Sequence, residues 1–109
     1  MKAPERGDLI TLDFDNTQGH EQAGYRRAMV ISPTAYNQKT RQAIVCAITS
    51  QKKGYPFEVD IPEGLKISGV VLADQVITID WEARHFRIDE QAPPECTQRV
   101  LDKLIILMQ

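Results

Sequence analysis

The apolar residues of this chain fall into short runs that are separated by turn-forming residues. Ile10, Leu12 and Phe14 alternate with other positions, which predicts a strand over Asp8–Phe14 with one buried face. Other runs are continuous and short, as in strands that are covered on both faces. Prolines and glycines between the runs indicate turns. The other predicted strands are Ala28–Ser32, Ala43–Ile48, Phe57–Ile61, Gly69–Ala73, Val76–Ile79 and Phe86–Ile88.

The C-terminal part of the chain has a helical period instead. Apolar residues recur at helical spacing from Val100 to Met108, and Pro93-Pro94-Glu95 supplies a helix start. A shorter helical turn is predicted over Thr34–Gln38. Many short strands followed by one helix predict a mainly β fold with a terminal helix (α+β), arranged as a small barrel or sandwich. With no repeat or linker, we expect a single domain over residues 1–109.

Composition narrows the class of protein. The hydrophobic fraction of 42% and the charged fraction of 26% are ordinary for a globular domain. A net charge of -2 argues against a non-specific nucleic-acid binder, whose affinity comes mainly from neutralised phosphates. No apolar run approaches the roughly 20 residues that span a bilayer, and the N-terminus lacks the apolar core of a signal peptide. We therefore expect a cytoplasmic protein with no membrane partner.

The two cysteines, Cys46 and Cys96, lie far apart in the sequence. They form no C-x-x-C pair and no metal-like cluster with histidine. In a reducing compartment such residues are most often free thiols that pack as small hydrophobes. We expect no metal and no cofactor.

The most informative segment is Gly19–Arg27, which leads directly into the apolar run that begins at Ala28. It carries two glycines, a histidine (His20), an acid (Glu21) and the arginine pair Arg26-Arg27. Loops anchored on a rigid strand are where binding and catalytic groups concentrate. We interpret this segment as an active-site loop.

Two further segments carry chemistry. After the apolar run that ends at Ile48 come hydroxyls at Thr49 and Ser50, followed by an amide, two lysines and a tyrosine. Such groups bind phosphates and stack on unpaired bases, although Thr-Ser at a strand end more often only forms a turn. Later, Asp74 and Gln75 interrupt an apolar stretch. Inside a sheet they must either satisfy nearby backbone groups or face a functional groove.

In this order, the three segments resemble the MazF/PemK family, antitoxin-controlled endoribonucleases. Gly19–Arg26 is similar to the G-x-E-Q-x-G-x-R part of the family motif, and Arg27 stands where a proline is usual. The resemblance implies an SH3-like small β-barrel of the CcdB/PemK type and a homodimer. It also implies sequence-specific cleavage of single-stranded RNA without metal, cofactor or ribosome. The implied partner is a cognate MazE-like antitoxin.

The resemblance also implies roles for particular residues. Arg26 and Thr49 match catalytic positions, and Glu21 matches the motif acid. His20 and Asp74 match positions that the PemK branch uses in catalysis, but that branch has an arginine where this chain has Leu72, so the pairing of Arg26 with Thr49 is favoured. The candidate RNA-binding residues are Gln22, Arg27, Ser50, Gln51, Lys52, Lys53, Tyr55 and Gln75.

The expected chemistry uses the ribose of the substrate. Its 2'-hydroxyl attacks the phosphorus and the 5'-oxygen leaves, which yields 2',3'-cyclic phosphate and 5'-hydroxyl ends. Arg26 suits phosphate stabilisation, while a guanidinium with a pKa above about 12 is a poor proton carrier. Glu21 and His20 are the alternatives for proton transfer.

Two other functions are compatible with a barrel of this kind. One is a CcdB-like toxin that cuts nothing and inhibits a protein such as gyrase through its C-terminal end. The segment Ile105–Gln109 favours a packed helix over a presented tail. The other is a plain interaction module, which needs no convergence of Arg26, Thr49 and Asp74.

Overall fold

The computed structural model describes residues 2–14 and 24–109, with the side chains of residues 2–12 and 25–109. Six strands and two helices follow one another in this part of the chain. The alternating pattern of the first run is confirmed, because β1 has the predicted bounds. The elements are β1 (Asp8–Phe14), β2 (Gly24–Val30), α1 (Thr34–Thr40), β3 (Gln42–Thr49), β4 (Glu58–Asp60), β5 (Val70–Asp80), β6 (Phe86–Gln91) and α2 (Pro94–Leu107).

The strands form one antiparallel sheet in the order β4-β5-β3-β2-β1-β6. The mainly β fold with a terminal helix is confirmed, but the sheet does not close into a barrel: across residues 2–14 and 24–109, β4 and β6 are edge strands. One reason is that β4 has only 3 residues to offer for pairing. Instead, the Glu90 carboxylate on β6 accepts the N–H groups of Lys66 and Ile67. The side chain of Glu90 therefore connects β6 to the segment between β4 and β5.

Apolar side chains cover both faces of the sheet, which explains the continuous apolar runs in the sequence. One core contains Leu9, Met29 and Cys46 of the sheet together with Val100 of α2. The second core lies on the other face, where Val45 packs with fully buried Trp81. A strand that serves both cores has no polar face, so its pattern is a run rather than an alternation.

The long strand β5 contains an irregularity next to the end of β3. Cys46 pairs with Val76, whereas Ile48 pairs with Val71. A single β3 residue, Ala47, therefore faces the four β5 residues 72–75, and this segment bulges away from β3. The sequence predicted two strands here, Gly69–Ala73 and Val76–Ile79; the structure has one strand with a bulge.

The terminal helix α2 begins at Pro94, with Glu95 in its first turn, as the start signal predicts. Cys96 and Val100 face the core and Leu104 packs against it, but the residues after Leu104 do not pack. The expectation of a packed end was wrong, since the four large apolar side chains there are exposed on the described chain. They are Ile105, Ile106, Leu107 and Met108.

Both cysteines are free thiols and are buried, as expected from their spacing. Neither described helix has the length and apolar character that crossing a membrane requires.

Candidate active site and nucleic-acid interface

Thr49 is the last residue of β3 and is half-buried. Its Oγ1 accepts the backbone N–H of Gln51 at 3.2 Å, so the hydroxyl helps to form the turn that leaves the strand. A hydroxyl can accept and donate at the same time, and its own proton remains available to a ligand. The turn-forming and functional interpretations of Thr49 are therefore compatible.

Arg26 lies inside β2, paired with Leu12 of β1, and is exposed. The interpretation of Arg26 and Arg27 as loop residues was wrong, because β2 extends back to Gly24. The β2–β3 ladder ends at the pair Ala28 and Ala47. Arg26 and Thr49 each lie two positions beyond that pair, so the period of two places them on the same face of the sheet.

Arg27 lies on the opposite face of the sheet from Arg26 and Thr49, as the same period of two predicts. Its partner on β1 is Thr11, which in turn lies opposite Arg87 on β6. Arg27 therefore belongs to a cross-strand row that does not include Thr49.

An open cavity of about 250 Å³ lies beside the end of β3. It brings together six of the residues that the sequence singled out, although these come from two separate parts of the chain. Phe57, Glu58 and Leu72 line it as well and were not among the predicted site residues. The predicted residues in its wall are Thr49, Gln51, Lys53, Tyr55, Asp74 and Gln75.

Other predicted residues lie outside this cavity. Arg26 and Arg27 are on β2, and Ser50 is exposed at the start of the loop. The ammonium group of Lys52 pairs instead with the Asp60 carboxylate, with Nζ 3.0 Å from Oδ1. His20, Glu21 and Gln22 fall outside the described residues.

Two aromatic rings form a flat surface at the cavity. The rings of Tyr55 and Phe57 are stacked, with centroids 5.1 Å apart and an interplanar angle of 12°. Tyr55 is about half exposed, at 51%. An exposed stacked ring can receive an unpaired base, because every base has a π-face.

Asp74 and Gln75 lie in the β5 bulge and are exposed. The expectation that they are buried inside the sheet was wrong, since the bulge moves this segment away from β3. Both residues line the cavity, which agrees with the groove interpretation. On the inner side, burial and then the charge of Asp74 raise the pKa of the Cys46 thiol to about 11.

Glu58 is the acid that sequence reasoning missed. It begins β4 and lines the cavity. The alternation of Phe57–Ile61 places it on the outward face, which is a signal that the sequence contained. Alternation alone cannot show which groups of a neighbouring loop it contacts.

The polar groups of the residues that line the cavity are carboxylates, amides, two hydroxyls and one ammonium group. Within the described ranges 2–14 and 24–109, no group of three or more histidine, cysteine or acidic side chains is placed to hold a metal ion. Amides, an ammonium group and stacked aromatics are the groups with which proteins bind single-stranded nucleic acid.

The fold and the cavity together define a small, mainly β protein. At the end of one strand it has a groove lined by groups of the kind that bind single-stranded nucleic acid. The family model described as "PemK-like, MazF-like toxin of type II toxin-antitoxin system" matches residues 5–108, and the chain belongs to this family. Endoribonuclease toxin MazF of Escherichia coli (strain K12) is 47% identical over 105 residues, which cover 96% of this chain and 94% of that protein.

A second relative and a solved structure agree with this assignment. Endoribonuclease PemK of Escherichia coli is 34% identical over 109 residues, covering 95% of this chain and 81% of that protein. The crystal structure of MazE-MazF (Form-II) from Deinococcus radiodurans matches with a TM-score of 0.93 at 44% identity. That match covers 99% of this chain and 97% of the other.

Proposed function

We propose that this chain is an endoribonuclease toxin that cleaves single-stranded RNA at a short sequence without the ribosome. The observation that carries the proposal is the cavity at the end of β3, in a chain 47% identical to an endoribonuclease toxin. We treat residues 1–109 as a single catalytic domain, which is supported by a family match over residues 5–108.

The proposed reaction is an attack by the substrate's own 2'-hydroxyl. A base removes the proton from the 2'-oxygen, a bond forms from that oxygen to phosphorus, and the bond from phosphorus to the 5'-oxygen breaks. An acid protonates the leaving 5'-oxygen, which yields 2',3'-cyclic phosphate and 5'-hydroxyl ends. The balance of atoms is complete without water or a metal ion.

Arg26 and Thr49 are the proposed stabilisers of the reacting phosphate. A guanidinium matches two phosphate oxygens through its planar fork. Thr49 accepts an N–H from Gln51 and can donate its own proton to the phosphate. Their positions on one face, beyond the end of the β2–β3 ladder, support a joint role.

Proton transfer requires a group with an accessible lone pair. Among the described candidates, Asp74 is an exposed carboxylate in the cavity wall that also contains Thr49. Glu21 and His20 remain the proposed alternatives from the family motif.

RNA binding is proposed along the loop and the adjacent strands. Lys53 supplies a cation, Tyr55 an aromatic surface, and Gln51 and Gln75 amides, all in the wall of one cavity. Ser50 and Lys52 flank the cavity on the same loop, and the proposal extends to Gln22 of the motif segment. Arg27 lies on the opposite face of the sheet from Thr49, so it is left out of the proposed binding surface.

The proposed partners are a second copy of the chain and a MazE-like antitoxin. The exposed apolar end of α2 provides a surface for the second copy, since large apolar patches on a small protein indicate an interface. The MazE-MazF complex from Deinococcus radiodurans supports the antitoxin. We further propose that the single-stranded RNA is mRNA. Because of this substrate and the two free thiols, we place the activity in the cytoplasm.

The decisive experiment uses a short RNA with a single 2'-deoxy substitution on the nucleotide 5' to the cut, in the presence of a metal chelator. We expect the unmodified RNA to be cut, with cyclic-phosphate and 5'-hydroxyl ends detected by mass, and the substituted RNA to bind but stay intact. Products with 3'-hydroxyl and 5'-phosphate ends would rule out this mechanism. Failure to bind or cut any RNA would favour the CcdB-like alternative, in which the target is a protein.

A further inference from the structure

The loop between β3 and β4 is held by a carboxylate from its own far end. Glu58 Oε2 accepts the N–H of Lys53 at 3.1 Å, and Glu58 Oε1 accepts the N–H of Gly54 at 2.9 Å. Successive N–H groups that converge on one anion form a concave nest in the backbone. Gly54 has a φ of 86°, a conformation that glycine adopts without steric cost.

The position of Glu58 is itself fixed by the sheet. Glu58 pairs with Leu72 of β5, and its backbone N–H donates to the carbonyl oxygen of Tyr55 at 3.1 Å. The carboxylate therefore connects the loop tip to a strand of the sheet.

Lys53 and Tyr55 lie on either side of Gly54, and both line the cavity. Without the carboxylate, two N–H groups at the tip would lose their partner and the backbone of Lys53 and Gly54 would gain freedom. Ordering that segment again on RNA binding would carry an entropic cost.

We propose that Glu58 is a positioning residue for RNA capture: it pre-forms the loop that presents Lys53 and Tyr55 to the substrate. This role rests on the proposed function. The alternative is that Glu58 only weakens binding, because a negative charge beside a phosphate-binding cavity repels RNA. Charge alone predicts that removing Glu58 strengthens binding, whereas positioning predicts that it weakens binding.

The test compares Glu58→Ala, Glu58→Gln and the control Asp60→Asn. Asp60 lies two residues further along β4, and its carboxylate pairs with the side chain of Lys52 and not with the loop backbone. Affinity is measured by fluorescence anisotropy with a short RNA blocked by a 2'-deoxy substitution at the cut. Hydrogen exchange at the Lys53 and Gly54 amides reports the order of the loop directly.

We expect Glu58→Ala to weaken binding about tenfold or more, as loss of hydrogen bonds to a charged acceptor does. Glu58→Gln should be intermediate, since its amide oxygen can accept one of the two N–H groups. Asp60→Asn should bind RNA as tightly as the wild type or more tightly. Amide protection at Lys53 and Gly54 should fall in the alanine variant and persist in the control.

If the wild-type chain binds RNA and Glu58→Ala binds it equally or more tightly, the positioning role is overturned and the proposed function stands. Loss of amide protection without any loss of affinity would overturn it as well. Failure of the wild-type chain to bind RNA would overturn both together. If the alanine variant does not fold in a thermal unfolding assay, Glu58→Gln takes its place. Weaker binding than the wild type, with no such loss in Asp60→Asn, supports positioning. Binding equal to or tighter than the wild type overturns it, as does an equal loss in both variants.

Discussion

The ammonium nitrogen of Lys103 on α2 lies 2.6 Å from the carbonyl oxygen of Pro56 in the β3–β4 loop. This hydrogen bond connects the terminal helix to the segment that carries Lys53 and Tyr55. The loop is therefore fixed at its tip by Glu58 and near its end by α2.

Replacing Lys103 with methionine keeps the length of the side chain and removes the donor. We expect RNA affinity to fall several-fold, because the end of the loop near Pro56 loses a charged hydrogen bond. Lys39→Met is the matched control, since it removes the same charge from an exposed position of α1. Anisotropy measurements that show the same loss in both variants would indicate a bulk charge effect and contradict the anchoring role.

Arg26→Ala should abolish most cleavage while the fold survives. The side chain is exposed on β2, so its removal costs little packing. Loss of a phosphate-stabilising donor typically lowers a rate by about 100-fold or more. The measurements are single-turnover cleavage and circular dichroism. Arg99→Ala, at an exposed position of α2, is the control. An Arg26→Ala enzyme with the wild-type rate would remove Arg26 from the mechanism.

Gly69→Ala should damage both stability and catalysis. A Cβ at Gly69 would collide with the carbonyl oxygen of Thr49, and the residue has a φ of 119°. Gly64→Ala is the matched control, because its φ is 92° but open space surrounds it. We expect the control to lose about 1–2 kcal/mol from left-handed strain. Urea unfolding should show a larger loss for Gly69→Ala, accompanied by slower cleavage; equal losses would contradict the contact with Thr49.

Stability should fall at alkaline pH because of Cys46. Burial, followed by the charge of Asp74, raises the pKa of its thiol from an ordinary 9.0 to about 11. The folded state holds this proton more tightly than the unfolded state does. The stabilisation is therefore complete below pH 9 and is lost as the pH rises to about 11.

At about pH 10 this linkage amounts to a loss of roughly 1.4 kcal/mol in the free energy of unfolding. Urea titrations of the wild type and Cys46→Ala at neutral pH and at pH 10 isolate it, since other groups titrate equally in both. The wild type should lose more stability than the variant. A parallel decline in the two proteins would show that Cys46 does not contribute.

Hydrophobic patterning predicted most of the fold because most strands have at least one face buried in a core. The bounds of β1 match the alternation of its residues, and α2 begins at the predicted proline. The N-terminal half of β2 was missed, since Arg26 and Arg27 are both exposed and leave no apolar period there. The sequence did not predict that Val70–Asp80 forms one strand, because the bulge within it depends on pairing with strands that are distant in sequence.

The candidate site was predicted in part for a similar reason. Polar groups that interrupt apolar runs or follow them indicated Thr49, Asp74 and the loop residues. The structure brings Thr49 and Asp74 together with part of that loop, namely Gln51, Lys53 and Tyr55. Glu58 was missed, because its significance comes from two backbone N–H groups of the adjacent loop. A pattern of side chains contains no information about backbone donors.

The bulge in β5 constrains how this groove can change in evolution. Asp74 and Gln75 lie between Val71, paired with Ile48, and Val76, paired with Cys46. Deleting one residue from the bulge would leave three residues where four now lie between these pairs. Either the bulge shortens, or β5 slips by one position and turns buried Ile79 outward. Substitutions at residues 74 and 75 leave that register intact. The chemistry of the groove can therefore be changed at these two positions without changing how β5 pairs with β3.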